Sequence, residues 1–390
     1  VTGETVRTTV AEISAGRASA HDFTESVGVN VHLFYSDTPY ADAEAVVAAL
    51  EELGVRHVRD GLAPDRPDQV AALERLRAAG ITSTLLVGEP GQDLDPLFEL
   101  LTGPLEGAVS AVEGPNEYYA SGDGWEDRVV PFQERLQDRV LSTPGLVGLD
   151  VVGPSVSEPR LRGLSEHGNI HPYPGGGPPE ANIDEEVVGS LTTFGDVLPW
   201  ATETGYHDAV EMPGTDHQPA ASDEEQAVYL PRLLAAYFAA GVGRTFLYEL
   251  WDQFPDPSLS DPEANYGLVE HDGTRKPQFL ALARFLDQVA DEPGEPTQEP
   301  LRYRVQGAGG DEVHRLALRR GDGGYDLLLW RPVPAGEVEP LRVDVILPCG
   351  ARVSLGQPSR TAGVRALPLD EDCSSTLALE DDIVVLRVAP

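Results

Sequence analysis

Along this chain, short runs of aliphatic and β-branched residues alternate with longer stretches whose apolar positions recur every three or four residues. The first four runs are GVNVHLFY (28–35), VRHVRD (55–60), ITSTLLV (81–87) and AVSAVE (108–113). They follow one another at intervals of about 26 residues, the beat of successive β/α units in a parallel architecture. Between the first two, residues 42–53 carry Val46, Ala49, Leu50 and Leu53 on one helical face and stop at Gly54. The same logic ends the next helix at Gly80. Weaker runs at 149–153, 169–171, 199–203 and 244–250 bring the strands to eight. A capping box, Ser222 with Glu225, opens a helix that runs to Gly241 with Pro231 as a kink, and Phe279, Leu282, Ala283, Phe285 and Leu286 stripe the helix after Lys276. Eight β/α units predict an α/β fold, a (β/α)8 TIM barrel, over residues 28–290.

Beyond residue 290 the pattern changes. DEPGEPTQEP reads as a linker over 291–300. Residues 301–390 hold short strands separated by turns such as GDGG at 321–324, which predicts a C-terminal β-sandwich with core strands at 327–330, 341–347 and 383–388. Residues 1–27 form an N-terminal segment in which Val6 to Ile13 can add a strand to either domain.

Composition narrows the function classes. Of 390 residues, 41% are hydrophobic and 24% charged, as in a globular protein. No apolar run approaches the roughly 20 residues needed to span a bilayer, so no membrane partner is expected. The formal net charge of −37 repels phosphate backbones and anionic lipid heads, which argues against nucleic acid. Two cysteines, Cys349 and Cys373, suit either one disulfide or two buried thiols, and without histidines nearby they make a poor zinc site. The acidic loop from Asp256 to Asp261 lacks an ordered calcium-ligand pattern. No metal or cofactor is expected. The chain begins at Val1 with no hydrophobic leader, as either a processed exported protein or a trimmed chain would; a secreted bacterial protein is the expectation.

In a barrel of this kind the chemistry sits at the C-terminal ends of the strands. Strand four runs out into Glu-Gly-Pro-Asn-Glu-Tyr-Tyr, which places Asn116 and Glu117 at the mouth; strand seven ends in Ala-Thr-Glu-Thr-Gly-Tyr-His, which places Glu203 there. Cleavage of a glycosidic bond needs such a pair, one carboxyl to protonate the leaving oxygen and one carboxylate on the other face of the sugar. In a retaining enzyme the two lie about 5 to 5.5 Å apart, because the second attacks the anomeric carbon directly.

The paired motifs resemble the large clan of (β/α)8 retaining glycoside hydrolases, with greatest similarity to family 39 and, more loosely, family 5. The resemblance covers roughly residues 28 to 290. It implies Glu117 as acid/base, Glu203 as nucleophile and Asn116 as donor to the sugar 2-hydroxyl. Arg59 resembles the arginine that steadies the nucleophile, His171 and Tyr173 the His-x-Tyr pair beside it, and Trp251 an aromatic sugar platform. His32, Tyr119, His207, Glu249 and Asp252 lie where they can bind sugar hydroxyls or serve as ordinary polar groups. The function expected is retaining hydrolysis of an oligo- or polysaccharide. A non-catalytic glycan-binding protein and a transglycosylase with the same residues are the competing readings.

Overall fold

The computed structural model describes residues 18–214, 217–294, 300–307, 312–336 and 338–390. Eight strands form one parallel sheet in the order β5-β4-β3-β2-β1-β8-β7-β6. They are β1 (Val27–Asn30), β2 (His57–Gly61), β3 (Thr82–Leu86), β4 (Val109–Glu113), β5 (Asp150–Val152), β6 (Gly168–Ile170), β7 (Pro199–Thr204) and β8 (Thr245–Leu247). A bridge between Val152 and His167 joins the two ends of the sheet, and Gly153 N–H donates to His167 O at 2.9 Å, so the sheet closes into a barrel.

Around the barrel lie α1 (Ala20–Glu25), α2 (Ala43–Leu53), α3 (Pro67–Ala78), α4 (Asp95–Leu101), α5 (Glu126–Ser142), α6 (Ile183–Phe194), α7 (Asp223–Ala239) and α8 (Pro277–Val289). Helix α2 shows how the sequence sets the boundaries. Asp42 caps its N-terminus by accepting from Ala45 N–H, Val46, Ala49, Leu50 and Leu53 are buried, and Gly54 ends it with φ 81°. Helix α7 opens with the Ser222/Glu225 capping box and contains Pro231. After β5 there is no full helix, only a 3-10 turn at Pro159–Leu161. The wall there is covered instead by a satellite cluster of Val129, Val130, Val156, Leu161 and Phe194.

Two strands stop three or more residues before the sequence pattern predicts. The first ends at Asn30 because the following segment turns inward, with Leu33 N–H donating to Asp60 at 3.1 Å and Tyr35 N–H to His32 O at 2.9 Å. The eighth ends at Leu247; the Tyr248–Glu249 peptide that follows is cis, and Leu250 N–H donates to Asn30 O at 3.1 Å. Inside the barrel the packing is close at Gly28. A Cβ there would stand 2.3 Å from the Phe246 ring, so only glycine fits.

The C-terminal β-region has a five-stranded sheet, β10-β11-β16-β13-β14, and a three-stranded sheet, β15-β12-β9. Its strands are β9 (Arg304–Gln306), β10 (His314–Arg319), β11 (Tyr325–Trp330), β12 (Leu341–Ile346), β13 (Val353–Gly356), β14 (Arg365–Leu367), β15 (Ser374–Leu379) and β16 (Val384–Val388). Both sheets contribute to one apolar core that includes Leu327, Leu329, Val343, Val345, Leu379 and Leu386. The architecture is a TIM barrel with a C-terminal β-sandwich. Cys349 and Cys373 form a disulfide with a Cα separation of 5.0 Å. Buried Arg232 of α7 joins the two parts, donating to Val333 O and Asp381 O at 2.8 and 3.1 Å while pairing with Glu180. On the N-terminal side Ser19 bridges to Arg319 of β10. The possible strand at 6–13 lies outside the described residues.

Candidate active site

The strand ends converge on one buried guanidinium. Arg59, near the end of β2, donates from Nε and Nη2 to the two oxygens of Glu113 at 2.7 and 2.8 Å. Its Nη1 reaches Asn30 at 3.0 Å and Glu203 at 2.6 Å, and its Nη2 also reaches Asn116 at 2.7 Å. All five guanidinium N–H donors are thereby engaged. Burial opposes its charge, but Glu113 and Glu203 outweigh that and strengthen the hold on its proton.

Glu113 closes β4 and is fully buried. Besides Arg59 it accepts from Asn169 Nδ2 at 2.9 Å and Thr202 Oγ1 at 3.2 Å, so its lone pairs are well used. Sequence reasoning gave no role to Glu113, Asn30, Asn169 or Thr202. The signal was nonetheless present, because a carboxylate or amide at the end of an apolar run such as VSAVE has to find a buried partner.

Glu203 and Glu117 stand on either side of the mouth. Glu203 on β7 accepts from Arg59 and, at 3.2 Å, from the Tyr173 hydroxyl. Burial pushes its carboxyl up, yet the charges of His171 and Arg59 and the hydrogen bonds from Arg59 and Tyr173 together hold it below the usual carboxylate range. Tyr173 is the reverse case: burial first, then the charge of Glu203, raises its hydroxyl well above the usual phenol and keeps it a donor. Glu117 follows β4 by a tight turn, where it adopts a left-handed backbone at φ 41° and donates its N–H to Ser155 Oγ at 2.7 Å. A non-glycine residue held there marks a constrained position, and the constraint turns the carboxyl toward the cavity. The Glu117 side chain is 40% exposed and that of Glu203 14%. One oxygen of each, with a ring nitrogen of His171, lie within 4.8 Å of one another.

His171 belongs to Glu117 more than to Glu203. Its Nδ1 is 2.9 Å from Glu117 and 3.7 Å from Glu203, and its Nε2 is 3.0 Å from Thr202 Oγ1. The ring thus stands beside Glu203 and makes its hydrogen bond to Glu117, so that it bridges the pair. These three ligand atoms form a geometry that can hold a cation, but Arg59 already places a positive charge 2.6 Å from Glu203, which disfavours a second one.

Asn116 is exposed, and its carbonyl is pinned by Arg59, which leaves its amide donors toward the cavity. His32 stacks on Tyr35 at 4.9 Å and lies 3.2 Å from Glu249. Burial opposes a charged His32 ring, while Glu249, Asp60 and Glu203 favour it and lift its pKa. Glu249 is fully buried and accepts from Tyr40 and Gln253 at 2.8 and 3.0 Å.

Trp251 departs from its expected place. It is 5% exposed and packed in the barrel core, with Arg275 5.8 Å from its ring centroid, so it offers no face to a sugar. The reason is the short eighth strand, which brings Tyr248 to the mouth in its stead. The Tyr248 ring lies 5.7 Å from His32 and 5.3 Å from Tyr266, and Tyr266 lies 6.1 Å from Tyr173. His207 turns away to Gln218 O at 2.8 Å, and Asp252 pairs with Lys276, so neither reaches the pair of glutamates.

No protein-family model matches the chain, and no curated protein matches it. Solved structures do. A family 39 glycoside hydrolase from the gut symbiont Bacteroides cellulosilyticus WH2 superposes with a TM-score of 0.67 at 16% identity, over 94% of this chain and 82% of that one. A family 39 β-xylosidase from Caulobacter crescentus gives a TM-score of 0.59 at 14% identity, over 96% and 98%. A β-1,3-glucanosyltransferase from Rhizomucor miehei gives 0.53 at 16% identity, over 65% of this chain and 96% of its own. The fold is thus that of the (β/α)8 glycoside hydrolases. Among them, family 39 structures share it across both barrel and β-sandwich.

Proposed function

We propose that the protein is a retaining O-glycosyl hydrolase, with Glu203 as nucleophile and Glu117 as acid/base. The observation that carries this reading is that an oxygen of Glu117 and an oxygen of Glu203 come within 4.8 Å of each other across the barrel mouth. That spacing supports direct attack, since a pair that admits a water between its members stands roughly 6.5 to 9.5 Å apart.

In the first step an oxygen of Glu203 bonds to the anomeric carbon while the bond from that carbon to the leaving oxygen breaks. The departing electron pair stays on the leaving oxygen, which takes a proton from Glu117. Arg59 and Tyr173 keep Glu203 ionised for the attack. Asn116, oriented by Arg59, donates to the sugar 2-hydroxyl, and His32 binds a hydroxyl further along the ring. In the second step Glu117 removes a proton from water, the water oxygen bonds to the anomeric carbon, and Glu203 leaves with its electron pair restored. Exported action on carbohydrate is part of the proposal, supported by the Cys349–Cys373 disulfide. A glycan-binding protein without catalysis would have no use for a carboxylate held ionised beside a second one.

A panel of aryl glycosides and plant, fungal and bacterial polysaccharides, read by NMR, tests the reading. The expected first product keeps the anomeric configuration of the substrate. Azide should restore turnover of an activated aryl glycoside to Glu117→Ala by supplying the second nucleophile without base help. First release of the inverted anomer contradicts the proposal. A sugar product in place of the water product marks transglycosylation by the same residues.

A further inference from the structure

A second cavity opens beside Glu117, away from Glu203. Its volume is about 440 Å³, and its wall includes Tyr119, Trp125, Val156, His171, Glu186 and Gly189. It occupies the gap between the segment after β5 and helix α6, at the place where the barrel has only the short turn Pro159–Leu161. One wall residue, His171, hydrogen-bonds the acid/base at 2.9 Å, and another, Ser155, accepts from its backbone N–H at 2.7 Å.

Resting on the glycosidase reading above, we infer that this cavity receives the leaving group, and that the leaving group it fits is a flat, apolar aglycone in preference to another sugar. The direction follows from the chemistry. The glycosidic oxygen must lie at Glu117 to take its proton, and whatever that oxygen carries continues on the Glu117 side. The class follows from the wall. Trp125 packs against the cluster of Val129, Val156 and Phe194, and Ile170 adds further apolar surface. Glu186 is the one carboxylate in the wall and can take a single hydroxyl, while the neutral polar groups there are mostly spoken for. Asn169 is taken by Glu113, Ser155 accepts from Glu117 N–H, and Ser157 lies 3.3 Å from Thr193. Ser190 is buried against Gly168 of β6 and presents no hydroxyl to the cavity. A second sugar, with several hydroxyls to satisfy, would leave most of them unpaired.

Helix α6 supplies a clean way to fill the cavity. Gly189 lies mid-helix on its edge, and a Cβ there meets nothing within 4 Å. Gly189→Leu therefore adds bulk without backbone strain. The probes are the methyl and benzyl glycosides and the glycosyl fluoride of whichever sugar the panel identifies. Methanol and benzyl alcohol are about equally basic leaving groups, so their difference reads binding rather than bond chemistry. The wild type should show a kcat/KM for the benzyl glycoside about tenfold above that for the methyl glycoside, and Gly189→Leu should lower that ratio at least about fivefold. Trp125→Ala should lower it in the same direction. A wild-type ratio near one, or a ratio that neither variant moves in protein that still cleaves the fluoride, overturns the inference while leaving the glycosidase reading intact. Failure of the wild type to cleave any glycosyl fluoride overturns the glycosidase reading itself, and the inference with it.

Discussion

Two of the buried clusters that hold one cation between two carboxylates differ in their setting. In one, Arg59 lies between Glu113 and Glu203. In the other, Lys276 lies between Asp208 and Asp252 at 3.1 and 2.8 Å. The lysine cluster is sealed, with side chains 1%, 6% and 3% exposed, whereas Glu203 at 14% faces a cavity shared with Glu117. Their electrostatics diverge accordingly. Burial, only partly offset by Lys276, pushes Asp208 up to about 7 and Asp252 up to about 8. Glu203 is buried too, but its histidine, arginine and tyrosine partners hold it down. A buried ion pair by itself does not mark a site. What separates the two is an open face and a carboxylate kept ionised toward it.

The largest effect should come from Arg59→Gln. It removes the charge beside Glu203 and leaves Glu113 buried without its main partner. We expect kcat/KM to fall by about three orders of magnitude, with a stability loss of about 3–5 kcal/mol in denaturant titration. Lys276→Met should cost a similar amount of stability at pH 8, about 3–5 kcal/mol, while kcat/KM per folded molecule stays within about threefold of wild type. This contrast is the sharpest form of the comparison, and equal activity losses in the two variants would break it.

The pH dependence of the lysine cluster follows from the sign of its shifts. Folded pKa values of Asp208 and Asp252 raised above an unfolded value near 4 favour the protonated folded state. Their contribution is complete below about pH 4 and is lost as pH climbs through 7 to 8. The cost of Lys276→Met should accordingly be smaller at pH 5 than at pH 8, because a protonated aspartate does not need the lysine. Gly28→Ala, which forces the Phe246 ring to move, should destabilise the barrel by about 1–3 kcal/mol. The smallest effect is expected of Tyr173→Phe. Loss of its hydrogen bond raises the Glu203 pKa, so the acid limb of the kcat/KM profile should shift to higher pH by up to about one unit. A shift to lower pH would remove Tyr173 from the account.

Much of the barrel was legible because parallel strands are buried runs and the first helices after β1 and β2 carry their own stop signals, Gly54 and Gly80. The two mouth glutamates were legible for a related reason, since the C-terminal ends of strands four and seven point into the barrel mouth. Less accessible was anything that depends on how strands meet across the barrel. Glu113 looks like the last residue of an apolar strand until Arg59 is brought to it from β2. His171 is two residues from Tyr173 in sequence, yet the first bonds Glu117 and the second Glu203. Trp251 resembles a platform by position alone; the turn after Leu247 buries it and presents Tyr248. Short-range pattern cannot express such a turn.

The central claim, that Glu203 is the nucleophile and is kept ionised for that purpose, is tested most directly by trapping. A 2-deoxy-2-fluoro glycosyl fluoride of the sugar found by screening, followed by proteolysis and mass spectrometry, should place one covalent sugar on the peptide containing Glu203. Glu203→Gln should take up none. A label on any other carboxylate, or on Glu203→Gln as readily as on the wild type, would contradict the account.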